Sequence, residues 1–112
     1  MCYSGAVPSE TLALAARQLV EAGFHQVDHE VSDGLGNEYY DFAGIGAVIR
    51  LVRDRGHEEL VIEAPDGSGW AKPSRWLRTD NNRMSLTDCV VMTITRKAEL
   101  RSALERDADR QD

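Results

Sequence analysis

Long apolar runs are absent from this sequence, and cysteines and basic residues are scarce in it. No run reaches the roughly 18 apolar residues that a transmembrane helix needs, so no segment is expected to span a membrane. The first ten residues, MCYSGAVPSE, lack the basic start and the apolar centre of a secretory signal peptide. These absences together predict a cytoplasmic protein.

The two cysteines do not indicate a disulfide. Cys2 lies among the first residues, where chains are usually loose, and Cys89 lies in an apolar run. A reduced pair fits that arrangement and the expected compartment better than a bond between them.

The shortage of positive charge excludes two classes of partner. Lysine and arginine together number 13 against 19 acidic residues, which leaves a net charge of −6. Nucleic acid and anionic membranes both need a positive surface, so neither is expected as the main partner, whereas a basic protein is permitted. Residues 21–66 carry most of the negative charge, with eleven acids and three arginines.

The length predicts a single domain over residues 1–112, with an N-terminal tail at 1–8 and a frayed C-terminus at 107–112. Ser9 is a suitable N-cap, and an apolar stripe predicts a helix from Ser9 to Ala22, which Gly23 ends. Alternation of apolar and polar residues then predicts four strands. Their ranges are Phe24–Val31, Glu38–Ala43, Gly46–Asp54 and Glu59–Ala64.

The stretch after residue 70 admits more than one interpretation. Pro73 excludes a central strand at that point, and Arg75–Thr79 is either a short edge strand or a helical turn that carries Trp76. Asp80-Asn81-Asn82 predicts a turn.

Residues 85–112 either form one long helix or contain a strand. A capping box that begins at Ser85 favours the helix, but that helix would place Thr93 and Lys97 on its apolar stripe. The β-rich run of residues 89–95 instead favours a strand near Asp88–Ile94, and then a helix capped by Thr95. We adopt the strand. The predicted fold is therefore α+β: a mainly antiparallel sheet of four to five strands, with an N-terminal and a C-terminal helix packed on one face.

The pleat of the sheet divides the strand residues between two faces. The residues predicted to point inward are Val27, Val31, Tyr40, Phe42, Ala47, Ile49, Leu51, Leu60 and Ile62. The outward set consists of Asp28, Glu30, Tyr39, Asp41, Val48, Arg50, Val52, Glu59, Val61 and Glu63. The outward face is either a solvated surface, with Arg50 paired to Glu63 or Asp41, or a docking face for a basic protein.

No motif indicates catalysis, a cofactor or a metal. His25 and His29 would lie roughly 13 Å apart on a strand, too far for a shared metal ion, at about 3.3 Å per residue. The basic and aromatic stretch around Trp70 and Trp76 is expected to pack against the acidic remainder rather than to bind nucleic acid.

The run Tyr39-Tyr40-Asp41-Phe42, the run from Ile49 to Gly56, and the following strand and Trp70 resemble small proteins of high-GC bacteria, over about residues 37–77. Some of those are similar to the immunity proteins of polymorphic toxin systems, which are short, acidic, cytoplasmic α+β domains. The resemblance implies a protein without enzymatic activity that neutralises a cognate basic toxin, nuclease-like in character, by covering its active site or substrate groove.

The residues expected to contact this partner are Asp28, Glu30, Tyr39, Asp41, Glu59 and Glu63. Two alternatives remain open. One is a small ligand-binding or enzymatic domain with a pocket between sheet and helices, for which His25, His29 and Tyr40 are the inward polar groups. The other is a phage-type or regulatory inhibitor.

Overall fold

A computed structural model describes residues 10–32, 37–77 and 85–109 of the chain. In order along the chain, the elements are α1 (Glu10–Glu21), β1 (His25–Ser32), β2 (Asn37–Ala43), β3 (Ile49–Asp54), β4 (His57–Glu63), β5 (Trp70–Ala71), α2 (Ser74–Leu77), α3 (Leu86–Thr95) and α4 (Lys97–Asp109). The strands form one antiparallel sheet in the order β1-β2-β3-β4-β5. The predicted α+β class is confirmed. The expected tail at 1–8 and the turn at 80–82 lie outside the described residues.

The helices cover one face of the sheet. The stripe of α1, with Leu12, Ala16 and Leu19 buried, joins a core with the inner residues of the strands and the buried side of α3 and α4. Gly23 follows α1 with φ +99°, as expected of a glycine that ends a helix. The inner face has two apolar rows across the sheet, which are Phe42, Ile49, Ile62 and then Tyr40, Leu51, Leu60.

One predicted inward residue is wrong. Val27 is 59% exposed, because the register between β1 and β2 shifts between Gln26 and Asp28. A β-bulge at this point inserts one extra residue, so the strand changes face there. His25 and His29, which were expected on the same face, therefore lie on opposite sides of this interruption.

The strand predicted at Asp88–Ile94 is also wrong, since residues 86–95 form α3. The helix predicted after it exists as α4, but Thr95, its expected cap, is the last residue of α3. Ser85 caps α3, and its side chain accepts a hydrogen bond from the Asp88 amide at 3.1 Å. The hydroxyl of the fully buried Thr93 donates to the Cys89 carbonyl at 2.8 Å, so burying it leaves no unpaired polar group. Cys89 itself is buried and forms no disulfide with another described residue.

The single long helix considered as an alternative is interrupted at Arg96, after which α4 begins. Lys97, the second residue that argued against a helix, lies with its Nζ 4.6 Å from the ring centroid of Phe24. Its charge is therefore placed over an aromatic face rather than in a purely aliphatic core. The helical alternative for Arg75–Thr79 is confirmed as far as Leu77: α2 carries the buried Trp76, whose Nε1 donates to Asp107 at 3.2 Å.

Within the described ranges, no helix is both long and apolar enough to cross a lipid bilayer.

Candidate functional site

The outer face of the sheet has a small core of its own. Val61 is 8% exposed, yet it does not belong to the core that the helices form with the inner face. Its cross-strand neighbour on β3 is Arg50, whose partner on β2 is Asp41. The outer face is therefore partly covered by its own long side chains, with no described helix packed on it.

Arg50 makes the central contacts among these long side chains. Its guanidinium carbon lies 4.1 Å from the ring centroid of Tyr39 and 4.5 Å from that of Trp70, so the cation stands between two aromatic rings. Arg50 also donates two hydrogen bonds to Asp41, from Nε at 2.7 Å and from Nη2 at 2.9 Å. This fork-shaped pairing raises the pKa of the arginine above its ordinary value and fixes the orientation of the side chain.

A second arrangement links β1 to β2 on the same face. The hydroxyl of Tyr39 lies 2.9 Å from Glu30 Oε2 and 3.1 Å from Asp28 Oδ2, and its single hydrogen is donated to one of these carboxylates at a time. The hydrogen bond to Glu30 is the main reason why the pKa of Tyr39 is raised to about 12. The phenol therefore stays protonated well above physiological pH and remains a hydrogen-bond donor.

The six residues predicted to bind a partner lie on this face but in different environments. Asp28 and Glu30 are exposed and meet Tyr39, whereas Asp41 is buried beneath Arg50. Glu59 is half-buried and its Oε2 lies 2.9 Å from Nε2 of His57.

Glu63 is exposed and paired with Trp70 across β4 and β5. It therefore lies at the far side of the face from Asp28 and Glu30. The expected pairing of Arg50 with either Glu63 or Asp41 is resolved in favour of Asp41.

The inner face ends in a polar cluster beyond the two apolar rows. Glu38 has no exposed side-chain surface, and its Oε2 lies 2.8 Å from Nε2 of His29. The His29 ring stacks on Tyr40 with centroids 3.9 Å apart. Burial, followed by the nearby charge of Glu38, raises the pKa of Tyr40.

A groove of about 760 Å³ opens beside this cluster, at the end of the sheet. His29, Glu38 and Arg53 line it from the inner side, and Glu30 and Tyr39 from the outer side. None of its lining residues belongs to a helix, so it differs from the pocket between sheet and helices that the alternative function requires. In the described part of the chain, no group of three or more histidine, cysteine or acidic side chains is arranged to hold a metal ion.

The sequence prediction missed Trp70 and Arg50 as members of the site. Trp70 lies at the start of a two-residue strand just before Pro73, a stretch that gives almost no alternation to interpret. Glu38 could have been found, because it lies two residues before Tyr40 and therefore shares its inward face.

No protein-family model matches the chain, and neither a curated protein nor a solved structure matches it.

Proposed function

We propose that this protein is a non-catalytic binding protein that neutralises a basic partner protein, in the manner of an immunity protein against a toxin. The outer face of the sheet is the docking surface. The partner is a nuclease-like domain whose substrate groove is positively charged because it binds phosphates, and the protein acts by filling that groove.

The observation that carries this proposal is the charge of a sheet face on which no described helix packs. The outward residues of the strands include six carboxylates and one guanidinium, a net charge of −5. The carboxylates are those of Asp28, Glu30, Asp41, Asp54, Glu59 and Glu63. Such a concentration of one sign accelerates association with an oppositely charged surface and selects against acidic partners.

The same face also supplies groups that are suited to a desolvated contact. Trp70 is 39% exposed, and Val52 and Tyr39 are half-buried beside the carboxylates. Aromatic side chains that are held in place before binding lose little entropy in a complex, and interface hot spots are rich in tyrosine and tryptophan. The acids thus supply steering, and the aromatic rings supply contact area.

Asp41 has a different role from the one expected of it. Its carboxylate is buried and accepts both hydrogen bonds from Arg50, so its charge is already neutralised. We therefore assign the electrostatic steering to Asp28, Glu30, Glu59 and Glu63. Asp41 instead keeps Arg50 between the rings of Tyr39 and Trp70.

The proposal can be tested by expressing the genes that flank this one. One product should arrest growth when it is expressed alone, and co-expression of this protein should restore growth through a stoichiometric complex. The proposal fails if no flanking product is toxic, or if the toxic product is neutralised without forming a complex.

The groove at the end of the sheet favours a second candidate function, which is the binding of a small zwitterionic ligand. Arg53 would receive an acidic group of the ligand, and Glu30 and Asp54 an amino group, since all three line the groove. A thermal-shift screen of the common amino acids at millimolar concentration tests this candidate. A saturable rise in melting temperature supports it, and no rise with any of them excludes it.

A further inference from the structure

Strand β1 forms one edge of the sheet and is its longest strand. It comes first in the order β1-β2-β3-β4-β5 and spans the eight residues His25–Ser32. Every residue from His25 to Glu30 is exposed. The other edge, β5, has only two residues. An exposed edge of this length presents backbone donors and acceptors to which another strand can pair.

One hydrogen bond shows which backbone groups of β1 face outward. The amide of His29 donates to Oδ1 of the adjacent Asp28 at 2.9 Å, and it therefore does not donate to β2. Because alternate residues of an edge strand point their backbone groups to the same side, Val31 faces the open edge as well. An incoming strand would meet the amides of these two residues.

The charge on this edge selects the kind of strand that can pair there. Asp28 and Glu30 lie two residues apart on the outer face, roughly 7 Å from each other along the strand. A second copy of the chain is a poor occupant. Antiparallel self-pairing centred on His29 would place Asp28 directly opposite Glu30, and pairing centred on Glu30 would place that carboxylate opposite itself. Like charges in such positions are destabilising.

We infer that β1 is a site of strand addition for an extended segment of the basic partner that carries lysine or arginine at alternate positions. This inference rests on the proposed function and names the part of the partner that is recognised. The cations of the segment lie opposite Asp28 and Glu30, and its backbone pairs with His29 and Val31. This mode takes affinity from main-chain hydrogen bonds and specificity from alternate side chains.

Asp28 has two states in this mode of binding. In the free protein its Oδ1 accepts the His29 amide, which blocks the edge against indiscriminate pairing. An incoming strand supplies a carbonyl to that amide, and the released carboxylate oxygen then faces the cation of the segment. Only a basic segment provides a new partner for the Asp28 oxygen that has lost the His29 amide.

Amide hydrogen exchange measured by NMR tests the inference without any partner protein. The probe is a short peptide of alternating lysine and valine. At saturation it should slow the exchange of the His29 and Val31 amides about tenfold or more, since an added strand protects outward-facing donors. Two control peptides are used: one with the same sequence and alternate backbone amides N-methylated, and one with glutamate in place of lysine.

Protection by the lysine peptide alone supports strand addition. The inference is wrong if the N-methylated peptide protects these amides equally, if the glutamate peptide does so, or if no peptide protects them. Asp28→Asn retains an oxygen for the His29 amide but removes the charge, and it should weaken binding of the lysine peptide several-fold. Failure of the peptide together with normal binding of a toxic flanking product would overturn strand addition alone, whereas failure to find any such product would overturn the proposed function.

Discussion

Arg50 organises the outer face at the scale of a single residue. Its two hydrogen bonds to Asp41 fix the orientation of the guanidinium, whose carbon lies 4.1 Å from the ring centroid of Tyr39 and 4.5 Å from that of Trp70. Lysine cannot reproduce this arrangement, because its ammonium group is a point charge without a planar fork. The main role of Arg50 is therefore to hold the side chains of the outer face in place, and not to change the net charge of that face.

Substitution of Arg50 tests this role. Arg50→Ala leaves the buried carboxylate of Asp41 without its partner, and it should lower the free energy of unfolding by about 2–3 kcal/mol. Arg50→Lys retains the charge but loses the fork, and it should cost roughly 1–2 kcal/mol. Arg101→Ala is the control, because its contact with Glu105 is exposed and 3.7 Å long, and it should cost less than about 0.5 kcal/mol. Urea denaturation measures all three; equal costs for Arg50→Ala and Arg101→Ala would contradict the assigned role.

The pKa of Tyr39 depends mainly on its hydrogen bond to Glu30. The hydrogen bond to the Glu30 carboxylate contributes most to raising the pKa of Tyr39, and Glu30→Gln replaces this acceptor with a neutral amide, so the phenol should ionise at a pH below about 12, closer to 10. Because the folded pKa is raised, the stabilisation from the neutral phenol is complete below pH 10 and is lost as the pH rises through about 12. Absorbance at alkaline pH follows the ionisation. An unchanged midpoint in Glu30→Gln would show that the hydrogen bond does not control this group.

At the scale of elements, α3 shows why β-branched residues did not make a strand. Val90 and Thr93 are fully buried on one side of the helix, and Ser85 supplies the cap that begins it. The intrinsic β-propensity of residues is a weak predictor of their secondary structure when tertiary packing can bury the same residues in a helix or in a strand. The cap was visible in the sequence, but the packing of Thr93 and Lys97 was not.

The cap and the buried hydroxyl should differ in their contribution to stability. Ser85→Ala removes the acceptor for the Asp88 amide and should cost about 1 kcal/mol. Thr93→Val should change the free energy of unfolding by less than about 1 kcal/mol. The hydroxyl donates to the Cys89 carbonyl of its own helix, and removing the hydroxyl therefore leaves no other buried group without a partner. A larger loss in Thr93→Val than in Ser85→Ala, measured by urea denaturation, would contradict this assignment.

Gly44, between β2 and β3, occupies a position with no room for a side chain. It has φ +152°, and an added Cβ would lie 2.9 Å from Cδ2 of the buried Phe24. Gly44→Ala should therefore cost about 2–4 kcal/mol, from backbone strain and overpacking together. Gly67→Ala is the matched control: φ is +77° there, nothing lies within 4 Å, and the cost should be about 1–2 kcal/mol. Equal melting temperatures of the two variants would show that the contact with Phe24 is unimportant.

The bulge in β1 marks the limit of pattern-based prediction for the strands. Alternation correctly assigned Tyr40, Phe42, Leu51 and Leu60 to the inner face, because β2, β3 and β4 pair without interruption. In β1 the extra residue at the bulge reverses the phase, and no sequence pattern indicated it. Pairing between strands, rather than the composition of one strand, decided which face Val27 occupies.

At the scale of the whole molecule, the fold separates stability from recognition. The helices and the inner face of the sheet form the main core, whereas the outer face has short-range contacts and most of its carboxylates in solvent. Surface substitutions on the outer face should therefore change binding with little effect on folding, apart from those at Asp41 and Arg50. The composition of the outer face was predictable from the sequence, but its aromatic cover was not, because Trp70 reaches Arg50 from a different strand.

The rate of association with the toxic flanking product tests the proposed function most directly. Glu30→Lys, Glu59→Lys and Glu63→Lys together reverse three charges on the outer face. The control reverses Glu21, Glu105 and Asp109, three exposed acids on the helices, and so makes the same change in net charge. At low ionic strength the outer-face variant should associate at least about tenfold more slowly than the wild type, the control should change much less, and the differences should shrink in high salt. Equal slowing in both variants, or normal association of the outer-face variant, would contradict the assignment of the docking surface to the outer face of the sheet.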